Sequence, residues 1–119
     1  MKVPGPDHSI TITPYRGRVV VRVGGRVIAD TKAALRLAEA SYPVAFYIPR
    51  ADADMAALVQ SDHHTYCPYK GECSYFGIPG ERGVNAVWSY EMPYPAVAAI
   101  KDHLACYPDR VEIEAGNLA

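Results

Sequence analysis

Residues 18–30 read RVVVRVGGRVIAD, and this stretch decides the fold class. Val19, Val21 and Val23 alternate with Val20 and Arg22, the period-two pattern of a strand with one apolar and one mixed face. A second strand-like run, RVIAD, resumes after only two residues, Gly24 and Gly25. Glycine accepts the positive φ angles of a type I′ turn, so the pair predicts a tight antiparallel hairpin.

Upstream of the hairpin, SITIT at 9–13 reads as another short strand, and residues 1–7, with Pro4, Gly5 and Pro6, read as a flexible lead-in. A single domain is therefore expected over 8–119. Downstream, TKAALRLAEA at 31–40 holds helix formers, with Thr31 as cap and an apolar stripe from Ala34, Leu35 and Ala38. That predicts a helix ended by Pro43. Residues 44–48 read as a buried strand closed by Pro49, and 51–59 as one or two helical turns starting near Asp52. Strands are expected at 64–66, 73–78, 84–91 and 111–114, and Pro95 suits the first turn of a short helix over AVAAIKDHL. The sum is a compact, mainly antiparallel α+β domain of roughly seven or eight short strands with two or three short helices.

A chain of 119 residues has room for one modest core. Half of it is hydrophobic and its formal net charge is −1, which excludes a disordered chain. The near-neutral balance, with a pI of about 6.4, argues against nucleic acid as a partner. Arg16, Arg18, Arg22 and Arg26 gather on the first hairpin, where solvated strand faces and edge protection explain them. No apolar run approaches the length a bilayer requires, so no membrane partner is expected. The N-terminal residues lack the apolar segment of a secretory signal, so the cytoplasm is the expected location. Three cysteines there should be reduced. Nine Tyr against two Phe and one Trp suit half-buried positions, where a ring packs and its hydroxyl meets water or a ligand.

Chemistry concentrates at 61–75, SDHHTYCPYKGECSY, which carries two imidazoles, two thiols, an ammonium, two carboxylates and three phenols. Cys67 is the first candidate, because a thiolate is the reactive form and needs a nearby cation or base. Lys70, three residues on across a Pro68–Gly71 turn, could supply the charge, and His63 or His64 the base. The competing reading makes Cys67 a small buried apolar residue at a strand end. Lys70 itself suits an anionic or carbonyl group in a pocket, or else a solvated turn paired with Asp52 or Asp54. Trp88 and Tyr90 stand two apart on an expected strand and share a face, with Tyr75 across a hairpin. Together they could wall an aromatic slot, with Tyr47 and Tyr107 adding polar tips, or Trp88 could centre the core.

Metal is not expected. The cysteines are Cys67, Cys73 and Cys106, with no tight pair, although His64 with Cys67 and His103 with Cys106 have local ligand spacing. Asp52 and Asp54 have the form of a paired-carboxylate magnesium site, but no glycine-rich phosphate loop accompanies them. Asp52 reads better as the cap of the short helix that follows. No cofactor is expected either.

Three segments carry a resemblance: Tyr47-Ile-Pro-Arg, the 61–75 run, and Ala86-Val-Trp-Ser-Tyr-Glu-Met-Pro. By these the chain resembles the family called domain of unknown function 427, over about residues 10–114. Thr65, Cys67, Pro68, Lys70, Gly71, Tyr75, Trp88, Tyr90 and Pro93 match its motif. The resemblance implies a β-tent-like fold, similar to methionine sulfoxide reductase B and the thalidomide-binding domain of cereblon. It also implies that Asp52, and not Asp54, occupies a shared position. Members are sometimes named nucleotidyltransferases. Cys73, Cys106 and Met92 depart from the family pattern.

The expectation is a small soluble domain whose cleft binds a small polar or aromatic molecule. Cys67, Lys70, Tyr75, Trp88 and Tyr90 would line it, with Thr65 in the motif and Tyr47 and Asp52 near the rim. Two alternatives stand beside it: an enzyme with Cys67 as nucleophile or redox thiol, and a non-catalytic interaction module. Edge strands such as the first hairpin leave a homodimer open.

Overall fold

The computed structural model describes residues 1–80 and 83–117, and these form three small antiparallel sheets. One holds β1 (Ile10–Pro14), β4 (Leu35–Glu39) and β5 (Ala45–Tyr47), in that order. A second runs β10 (Glu112–Asn117), β2 (Gly17–Val23), β3 (Arg26–Thr31). The third runs β6 (Val59–Cys67), β7 (Gly71–Gly77), β8 (Val87–Ser89), β9 (Ala105–Cys106).

The hairpin that set the fold class is present. Gly24 and Gly25 both have positive φ, +55° and +83°, and Val23 pairs with Arg26 across them. Three of the four arginines are tied down on the surface: Arg18 to Asp30 across β2 and β3, Arg22 to Glu114 of β10, and Arg26 to Asp54.

Residues 31–40 correct the expected helix. Thr31 does accept a backbone hydrogen bond from Ala33 at 2.9 Å, the local contact a cap makes, but no helix follows. Residues 35–39 form β4, in the middle of its sheet between β1 and β5. The residues alternate: Arg36 is exposed, Leu37 and Glu39 are buried. Pairing on both edges outweighs an intrinsic helix preference worth only tenths of a kcal/mol per residue.

Helical content falls below the two or three short helices expected, with one segment longer than a single turn. Among the described residues it comprises chiefly a six-residue 3-10 segment at Pro95–Ile100 and single 3-10 turns at Arg50–Asp52 and Met55–Ala57. Pro95 does open its segment, but Val97 already leaves helical geometry. No described helix is long and apolar enough to cross a membrane.

The β6–β9 sheet separates two apolar clusters, as period-two strands allow. Phe76 and Val87 face one, with Val19, Val21, Ile48 and Leu104. Cys73, Tyr75 and Ala105 face the other, with Leu37, Tyr47, Tyr90 and Ile100. The second cluster is rich in phenols and opens to the candidate site.

Candidate functional site

Cys67-Pro-Tyr-Lys-Gly71 is the connection between β6 and β7, with Cys67 paired to Gly71. Gly71 has φ of +106°, where side chains are strained, and a Cβ there would lie 3.3 Å from the Met92 carbonyl oxygen. Neighbouring segments hold the turn through its own carbonyls. The Lys2 N–H donates to Pro68 O at 2.7 Å, and the Tyr94 N–H to Lys70 O at 3.0 Å. The Lys70 side chain therefore leaves a fixed backbone.

Its ammonium donates to Glu39 Oε1. The other carboxylate oxygen, Oε2, bonds His8 Nε2 at 2.7 Å, and the His8 ring stacks on Tyr69 at 3.9 Å and 3°. The Lys70 and Glu39 side chains are only 11% and 10% exposed. Burial alone would raise the Glu39 carboxyl, but the Lys70 and His8 hydrogen bonds, with their charges, hold it below the usual range. The Lys70 ammonium also lies 5.6 Å from the Tyr90 ring centroid.

The adjoining wall is aromatic. Tyr75 of β7 pairs with Trp88 of β8, so both rings rise from one face of the sheet. Trp88 Nε1–H donates to Tyr47 Oη at 3.1 Å, the two rings standing edge to face at 86°. Tyr107 lies against the indole, centroid to centroid 4.5 Å. The Tyr75 hydroxyl is 3.0 Å from Thr65 Oγ1 and 3.4 Å from the Tyr107 hydroxyl. Burial pushes the Tyr47, Tyr75 and Tyr90 phenols up, so all three stay neutral.

These groups surround a cleft of about 690 Å³. Of the residues singled out from sequence, Tyr47, Cys67, Lys70, Tyr75, Trp88 and Tyr90 line it. Thr65 does not; it stands behind Tyr75 as the partner of its hydroxyl. Asp52 is not at the rim either. It lies in a separate polar hollow with Arg18, Asp30 and Lys32, and accepts a hydrogen bond from Thr31 at 2.7 Å. Nor does it cap a helix: Asp54 precedes the Met55–Ala57 turn, without a side-chain cap bond. The sequence reading missed Glu39, because it placed that residue on a helix. The signal was the alternation in LRLAE, which puts Leu37 and Glu39 on one face.

Cys67 is half-buried in the lining, but its expected activators have other partners. Lys70 is bound to Glu39, the His63 ring packs on Tyr75 at 4.5 Å, and strand alternation turns His64 to the face opposite Cys67. Cys73 is buried, which raises its thiol, and burial pushes Cys106 up to about 12. Among the described residues no three His, Cys, Asp or Glu side chains gather as a metal site would need.

A family model described as Domain of unknown function (DUF427) matches residues 11–117. The chain belongs to that family. Every cleft residue of this DUF427 domain falls inside the matched span, and only His8, behind Glu39, falls outside it. Comparison with curated proteins finds no match. The family label carries nucleotidyltransferase wording, yet the carboxylates that invite it are already engaged, Asp52 by Thr31 and Asp54 by Arg26.

Proposed function

We propose that this DUF427 domain binds a small polar or aromatic molecule in the cleft between Lys70 and Trp88. One observation carries the reading: a buried ion pair and a set of aromatic rings meet around a single hollow of about 690 Å³. That volume suits a ligand of one or two rings, and apolar walls with a few convergent polar groups are what such sites use. The rings supply stacking area, and the Lys70 end supplies orientation. The reading takes the fold as β-tent-like, on the family resemblance and the three small sheets. It takes the protein as cytosolic, and a homodimer is compatible with it because the cleft lies within one chain.

The test is a fragment screen followed by two-dimensional NMR on the intact chain. Binders should move the Trp88 indole N–H resonance saturably, and Trp88→Leu should weaken them at least tenfold while thermal unfolding stays cooperative. Fragments that bind only elsewhere, or an absence of binders among several hundred, would sink the proposal.

A further inference from the structure

The hydrogen-bond inventory of the cleft is one-sided. Among the described residues the lining holds one carboxylate, Glu39, with both oxygens engaged, by Lys70 and by His8. An ammonium carries three donors, and Lys70 spends one of them on Glu39. Among the described residues the other two have no acceptor, although the side chain is only 11% exposed. Tyr47 repeats the pattern. Its oxygen accepts the Trp88 indole N–H, but its own O–H proton has no acceptor among the described residues, and the residue is 1% exposed. Burial keeps that phenol protonated. Every buried side-chain nitrogen and oxygen among the described residues has at least one partner, so what these two atoms keep in reserve is donor capacity, which a ligand that brings acceptors would use.

From this geometry we infer that the cleft takes a flat aromatic molecule carrying an sp² oxygen, carbonyl or carboxylate, which Lys70 and Tyr47 bind as donors. The inference rests on the cleft-binding reading and adds its polarity: the ligand brings acceptors, not donors. Trp88 and Tyr107 give the ring a face to stack on. A ligand led by an ammonium would find the Glu39 carboxylate already occupied and the Lys70 charge repelling it.

The test uses one ring system with four substituents: 2-naphthoate, 2-acetonaphthone, 2-naphthylmethylammonium and unsubstituted naphthalene. Affinities are read from the Trp88 indole N–H shift of the wild-type chain. The two oxygen-bearing compounds should bind at least tenfold tighter than the ammonium and than naphthalene. Tyr47→Phe should shrink that preference, with Lys70→Met as a second variant. A tighter naphthoate would assign an anionic ligand, and equal affinities a neutral carbonyl. An ammonium or bare naphthalene that binds as tightly, or a preference unchanged in both variants, would overturn the inference while leaving a ligand cleft standing. If none of the four moves the Trp88 resonance but unrelated fragments do, the ring-and-acceptor assignment fails alone. If nothing moves it, the cleft reading fails as well.

Discussion

At the scale of single residues, three thiols separate by environment. Cys73 is sealed in the phenol-rich cluster, and its thiol is raised by burial. Cys106 is pushed up to about 12 by the same cause. Cys67 is half-buried in the cleft wall, at the Cys67–Gly71 connection. Alkylation proceeds through the thiolate, so burial that suppresses ionisation slows it. With limiting iodoacetamide at pH 8, read by peptide mass spectrometry, Cys67 should label at least tenfold faster than Cys73 or Cys106. Equal rates would contradict this ordering. A nucleophilic role for Cys67 demands more: labelling faster than free cysteine, despite Lys70 being held by Glu39.

At the scale of elements, the first hairpin and the Cys67–Gly71 connection were legible, for different reasons. Alternating valines and a Gly-Gly pair define a hairpin from local chemistry alone. The aromatic wall was legible because period-two spacing puts Trp88 on the face that meets Tyr75. Residues 31–40 were not legible, because Ala, Leu, Arg and Glu prefer helix locally. Only pairing with β1 and β5, distant in sequence, makes a strand of them. The loss of Glu39 from the expected site followed directly from that error. Asp52 was misplaced for a related reason: its partner Thr31 lies 21 residues away, beyond any local signal. The turn after Cys67 yields an element-scale test. Gly71→Ala forces a side chain into φ of +106° and against the Met92 carbonyl. It should cost ~1–2 kcal/mol from the backbone conformation alone, measured by urea unfolding, with the Lys70 resonances shifted. A variant as stable as wild type would show that this turn does not depend on a glycine.

Across the whole molecule, the buried titratable groups set the pH range of the fold. Glu39 has a folded pKa below its ordinary value of 4.5, so its contribution is present above that value and is lost as pH falls through the folded one. Asp30 is shifted the same way by Arg18, but the pair is exposed and salt-screened, so it adds little. On the alkaline side the shift is reversed. Cys73, Cys106, Tyr47, Tyr75 and Tyr90 are all raised, so the folded state holds protons that the unfolded chain releases. Their contribution is intact below the ordinary thiol value of 9.0 and declines above it, as unfolded thiols and then phenols ionise. The melting temperature should therefore be flat between about pH 5 and pH 8.5 and fall on both sides. In 0.5 M salt the acid limb should persist, because Glu39 is buried with its partners, and Glu39→Gln should flatten that limb while lowering the plateau. The alkaline limb should survive Glu39→Gln unchanged, since it belongs to the thiols and phenols. A melting temperature constant from pH 8 to pH 11 would mean that these five groups ionise as readily folded as unfolded, and that the phenol-lined cluster is open to water.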